Sequence, residues 1–107
     1  MITIISGTSR EGSNTLRLAE YYRRQLKVKG FESELFSLCN LPHDLIFTDL
    51  YGKRSDAFKI IQDKVSATSK FLFIIPEYNG SFPGVLKTFI DACTFPESFF
   101  GKKAALV

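Results

Sequence analysis

Cysteine is scarce in this chain. Cys39 and Cys93 are the only two, and their separation fits neither a metal-ligand pattern nor a disulfide framework. Each reads as a small buried hydrophobe, and a reducing cytoplasm is the expected compartment. Long apolar runs are also missing. The longest reach about six residues, against the roughly 20 that cross a bilayer, so no membrane partner is expected. Met1 leads straight into "ITIISG", without a basic n-region or a long apolar h-region, so no secretory leader is expected. No basic block is interleaved with aromatics. The net charge of +3 is spread along the chain, and nucleic acid is not an expected partner. A mildly basic chain can still supply one local site for a small anion. Histidine occurs once, as His43, in a long polar connection where a surface position is expected.

Two familiar phosphate loops are absent too. A Walker loop needs Gly-Lys-Ser/Thr, and Gly12 is followed by Ser13 and Asn14. A dinucleotide fingerprint needs three glycines at fixed spacing, and this region has only Gly7 and Gly12. ATP hydrolysis and a standard dinucleotide-fold site are therefore not expected.

What remains is the pattern of a single domain spanning residues 1–107. Hydrophobic residues make up 45% and charged ones 23%, the proportions of an ordinary globular chain with a modest core. "ITIIS" (2–6) is a β-branched run without polar alternation, as in a strand buried on both faces. A helix is expected over 14–29, with Leu18, Ala19, Tyr22 and Leu26 on one face and Gly30 stopping it. "ESELFSL" (32–38) alternates imperfectly, as an edge strand does. Residues 39–54 form a long connection of the kind that covers or does something. A second helix is expected over 55–69, with Ser55 as N-cap, Asp56 in the first turn and Phe58, Ile61 and Val65 inward. "KFLFIIP" (70–76) is the clearest strand. Pro83 then suits the first turn of a third helix carrying Val85, Leu86, Phe89, Ile90 and Cys93. A fourth strand begins within 102–107. The order β-α-β-α-β-α-β predicts a parallel sheet with helices on both faces. If strands one and three are neighbours, the loops after them face each other at a switch in strand order, where such sheets bind ligands.

Those two loops carry the chemistry. "GTSREGSNT" (7–15) joins a strand to a helix N-terminus, where free N–H groups and the helix dipole favour an anion. Ser9, Ser13, Asn14 and Thr15 add short hydrogen-bonding side chains, and Arg10 adds a guanidinium able to grip a phosphate with two bonds. In "PEYNGS" (76–81), Tyr78 offers a flat face, and Asn79-Gly80 a tight turn with backbone amides for the edge of a planar heterocycle. The plainer alternatives are a helix cap with surface Ser and Arg for the first loop, and a turn ended by N-capping Ser81 for the second. Taken together, phosphate at one end and a flat ring at the other outline a flavin mononucleotide.

"GTSREGSNT" followed by "PEYNGSFPGVLKTFID" closely resembles the NADPH-dependent FMN reductase family, flavodoxin-like proteins that include quinone, azo-dye and chromate reductases. The first motif is similar to the family's Gly-Ser-x-Arg-x-x-Ser pattern, with Thr8 and Ser9 shifting the details. The second matches its Pro-Glu-Tyr-Asn-Gly-Ser loop without a gap. The resemblance implies a flavodoxin-like three-layer α/β/α fold. It implies that Ser9, Arg10, Ser13, Asn14 and Thr15 hold the FMN phosphate, and that Pro76, Glu77, Tyr78, Asn79, Gly80 and Ser81 line the flavin. It further implies a hydride passed from NADPH or NADH through FMN to a flavin, quinone or similar small-molecule acceptor, with no side chain acting as acid or base. A homodimer or homotetramer is the implied assembly. Family members run on past the fourth strand, whereas Val107 falls within it. The expectation is therefore a C-terminally truncated form whose last strand is an unprotected edge. Two other readings stay open: a flavodoxin-type electron carrier, which this chain's basic balance argues against, and a truncated remnant without activity.

Overall fold

In the computed structural model, which describes residues 1–107, four parallel strands carry helices on both faces. The strands are β1 (Ile2–Ser6), β2 (Ser33–Ser37), β3 (Lys70–Ile74) and β4 (Lys103–Leu106). The helices are α1 (Asn14–Val28), a one-turn α2 (Leu45–Thr48), α3 (Asp56–Ala67) and α4 (Gly84–Ala92). The sheet order is β2-β1-β3-β4. Ile2 is in register with Ser33 on one side and Lys70 on the other. β1 is therefore central, β2 is an edge as its broken alternation predicts, and strand order reverses between β1 and β3.

Successive side chains of a strand point to opposite faces, and this one rule divides the core. Ile4 and Ile74 pack with Ala19 of α1 on one face. Ile5, Phe71 and Phe73 pack on the other with Phe58 and Val65 of α3 and Leu86, Phe89 and Ala92 of α4. Phe58 and Phe89 are fully buried. The result is the expected flavodoxin-like three-layer α/β/α arrangement.

Local signals account for the helix ends. Ser13 caps α1 and Ser55 caps α3, their hydroxyls accepting from Leu16 N at 3.0 Å and Phe58 N at 3.2 Å. Phe31 N donates to Leu26 O at 2.9 Å across Gly30, closing α1. Lys102 Nζ donates to the carbonyls of Val65 and Ser66 at 2.9 and 3.1 Å. The same ammonium lies over the Phe71 ring, 5.6 Å from its centroid, and burial pushes its pKa down.

Several details depart from expectation. Pro83 is the N-cap of α4, with ψ at 140°, and not a first-turn residue. Neither it nor Ser81 caps the helix through a side chain. β3 stops at Ile74, two residues short of Pro76. Leu18 and Ile90, expected inward, are 40% and 38% exposed, because α1 and α4 each bury a stripe narrower than their apolar residues cover. The 39–54 connection is not structureless. It holds a 3₁₀ turn at Leu38–Asn40, the one-turn α2, and a fully buried carboxylate, Asp49.

Asp49 fastens that connection to α3. Its carboxylate accepts from Ser55 N and, at 2.7 Å, from Thr48 Oγ1. Burial alone raises its pKa, but the Ser55 N–H, the hydroxyls of Thr48 and Ser55 and the charge of Arg54 outweigh it, and the net shift is downward from 3.8. A depressed folded-state pKa stabilises the fold at pH above the unfolded value and loses that contribution as pH falls through the folded one. Asp49→Ala is expected to lower the free energy of unfolding at neutral pH by about 1.5–3 kcal/mol, the range for hydrogen bonds to a charged group. Urea titrations of both proteins should show the difference shrinking below pH 3.8. A difference undiminished at the acid end would contradict this role.

Candidate functional site

The pairing of β1 with β3 sets the two motif loops side by side. Gly7 N donates to Ile74 O at 2.8 Å, immediately beyond the paired strands. A Cβ at Gly7 would stand 2.9 Å from that same oxygen, so only glycine allows the backbones so close. The next residue ties the loops by side chains. Thr8 Oγ1 lies 2.7 Å from Tyr78 Oη and also accepts from Arg10 N at 3.2 Å. From beneath, the Cys39 thiol reaches the carbonyls of Arg10 and Thr8 at 3.5 and 3.8 Å.

The second loop is a miniature hairpin. Tyr78 and Ser81 exchange two backbone hydrogen bonds, of 2.8 and 3.2 Å. Asn79 and Gly80 between them have φ of 53° and 80°, the pair of positive values that an Asn-Gly turn supplies. Glu77 closes the turn by accepting from Gly80 N. This corrects one expectation: the Gly80 amide is engaged by Glu77 and is not free for a ligand. The Tyr78 ring is anchored through its hydroxyl and remains 39% exposed.

The first loop leaves donors free. Ser13 Oγ takes Leu16 N, and Ser13 O takes Arg17 N. The N–H groups of residues 11–15 have no acceptor within the chain. The Arg10 side chain is exposed and forms neither an ion pair nor a hydrogen bond. A cation, a run of unpaired amides and a helix N-terminus therefore converge on a cavity of about 390 Å³ between the loops. Arg10, Ser13, Asn14, Thr15, Pro76 and Tyr78 line it, as do Glu11 and Gly12.

Of the residues singled out in the sequence, Ser9 lies apart. It lines a neighbouring cavity of about 440 Å³ on the other side of the loop, with Cys39, His43, Leu41, Val85 and Thr88. Glu77, Asn79, Gly80 and Ser81 are exposed and border neither cavity. His43 is exposed, as expected. Thr8 was legible only as a deviation from a motif, yet it is 1% exposed and joins the loops. Nothing in the spacing of the sequence reveals the contact from Cys39, 31 residues away.

Comparison with known proteins agrees with this arrangement. The model of the family described as NADPH-dependent FMN reductase matches residues 1–107. An FMN-dependent NADPH-azoreductase of Staphylococcus saprophyticus is 26% identical over 98 residues, covering 88% of this chain and 52% of that protein. The enzyme of the same description from Staphylococcus aureus is 30% identical over 92 residues, covering 82% and 49%. Among solved structures, the flavoenzyme NAD(P)H:(acceptor) oxidoreductase FerB of Paracoccus denitrificans superposes with a TM-score of 0.76 at 27% identity, over 99% of this chain and 58% of that one. The apo form of the NADH:FMN oxidoreductase EMOB gives 0.72 at 25% identity, covering 87% and 49%. The chain thus spans about half the length of the curated relatives it matches. With a family match along its whole length and both loops in place at the switch in strand order, this chain belongs to the NADPH-dependent FMN reductase family.

Proposed function

We propose that the chain binds FMN in the crevice between β1 and β3 and serves as an FMN-dependent NAD(P)H oxidoreductase, passing reducing equivalents to a small-molecule acceptor such as a flavin or quinone. The observation that carries this reading is the run of unpaired amides at residues 11–15 beside the unpaired Arg10 side chain, with the Arg10 amide linked to Tyr78 through the Thr8 hydroxyl. The donor set fits a phosphate monoester, which has three strong acceptor oxygens and up to two negative charges.

In this reading the amides of Gly12 to Thr15 and the guanidinium of Arg10 hold the phosphate, with Asn14 and Thr15 at the helix dipole. Ser13 combines binding with capping. Pro76 and Tyr78 border the ring, while Glu77, Asn79, Gly80 and Ser81 keep the hairpin in shape. Ser9 lines the neighbouring cavity and has no part in holding the phosphate in this reading. Bound FMN supplies the hydride chemistry, which none of these side chains offers. The protein binds, orients and shields it. Thr8 fixes the height of Tyr78 over the phosphate loop through one hydroxyl shared with Arg10 N. The proposed assembly is a homodimer or homotetramer in a reducing cytoplasm. Phe47, Tyr51, Phe95 and Phe100, each more than three-quarters exposed, supply apolar surface for such contacts.

The direct test is the visible spectrum of the protein with added FMN, followed by anaerobic NADPH. The expected result is a bound-flavin spectrum that bleaches on NADPH addition. Bleaching separates a reductase from a carrier that must be reduced by another protein, and absence of flavin uptake would overturn the proposal. Arg10→Ala is expected to weaken FMN binding by about 1.5–3 kcal/mol, the worth of a charged hydrogen bond. An unchanged dissociation constant in a fluorescence titration would remove Arg10 from the site. Thr8→Val keeps the shape and deletes two hydrogen bonds, so stability should fall by about 0.5–1.5 kcal/mol for each. Its flavin affinity should fall as well. Lost stability with undiminished affinity would make Thr8 a structural residue only.

A further inference from the structure

A cavity of about 310 Å³ lies at the opposite end of the sheet, between α1 and the start of β2. Ser33 on its wall is the first residue of β2 and pairs with Ile2. These are the amino ends of the strands, whereas the FMN crevice lies beyond their carboxyl ends. Five residues at ~3.3 Å each put roughly 16 Å of strand between the two places. On the helix side the lining residues are Glu20, Arg23, Arg24 and Lys27. They recur at i, i+3, i+4 and i+7, a single face of two turns.

Three observations set this surface apart from an ordinary wet helix face. None of the three cations is engaged in an ion pair: the chain's two pairs are Lys59–Asp56 and Lys87–Asp91. The carbonyls of Gln25, Leu26 and Lys27 already accept from the N–H groups of Lys29, Gly30 and Phe31, so the cations are not needed to cap them. Ser33, finally, is 8% exposed, and its hydroxyl has no hydrogen-bond partner. It shares a strand face with Leu35, which packs against the core on the α1 side. An orphaned buried hydroxyl is costly and calls for a partner.

We infer that this cavity binds a nucleoside phosphate. Arg23, Arg24 and Lys27 meet the phosphate, and the half-exposed ring of Phe31 offers the base a stacking face. The Ser33 hydroxyl, buried as it stands, turns outward to donate to a phosphate or ribose oxygen. The carboxylates of Glu20 and Glu32 accept from ribose hydroxyls and leave the lining with one net positive charge. That balance, and a volume at the small end of the ~300–1,000 Å³ typical of ligand sites, suit a mono- or diphosphate better than a polyanion.

The test is a titration of the full 107-residue chain, isotopically labelled, with ADP, adenosine and inorganic phosphate, followed through assigned amide resonances. ADP is expected to shift the signals of Arg24, Phe31 and Ser33, and to bind more tightly than either of its parts. The variant Arg23→Ala/Lys27→Ala changes two exposed side chains, and its amide spectrum reports whether the fold is kept. It should weaken ADP binding roughly tenfold or more, what one charge-assisted hydrogen bond supplies. Ser33→Ala should weaken it by a smaller factor. Shifts confined to residues 11–15, equal affinity for ADP and inorganic phosphate, or undiminished binding by the double variant would each overturn the inference.

Discussion

Everything at the candidate FMN site depends on the pairing of β1 with β3. Those strands are 68 residues apart where Ile2 meets Lys70, and no local signal joins them. Once paired, their carboxyl ends deliver Gly7 and Ile74 to the same point. The N–H of Gly7 extends the ladder by one bond to Ile74 O, and the absence of a side chain at Gly7 lets the next residues run on without a bulge. Thr8 then finds Tyr78, and the distance between the N-terminal end of α1 and the hairpin becomes fixed.

The crevice divides its polar groups into those that are spent and those that are left over. In the hairpin nearly all are spent: Tyr78 and Ser81 satisfy each other, Glu77 takes the Gly80 amide, and the Tyr78 hydroxyl is held by Thr8. In the loop after β1 the Arg10 amide is held, while those of residues 11–15 are not. A rigid turn facing a set of unmet donors is what ligand preorganisation requires. A ligand bound there would order little that is not already ordered, and would meet donors that water alone otherwise serves.

Much of this was legible beforehand, because the strongest signals are local. Pure β-branched and aromatic runs gave β1 and β3, Ser55 marked a helix start, and Gly30 marked an end. The exposure of free donors in 7–15 followed from its place at a strand–helix junction. Less legible were features that depend on which of several eligible groups pair. Glu77 could cap a helix, orient Tyr78 or close its own turn, and only the hairpin geometry selects the last. Leu18 and Ile90 satisfy the helical period but sit where no second layer covers them. Asp49 looked like one polar residue among many in a connection, and no spacing announces that it is fully buried and bound to the Ser55 amide at the head of α3.

The sheet order also has a consequence for synthesis. β1, the strand at the centre, is translated before either of its neighbours, and its β3 partner follows only after another 68 positions. At ~5–20 residues per second that interval lasts roughly 3–14 s, long beside the sub-second folding open to small domains. Through it Ile4 and Ile5 can gather β2, α1 and finally α3, but not β3. The polypeptide leaving the ribosome therefore carries its central strand for seconds with the β3 flank still open.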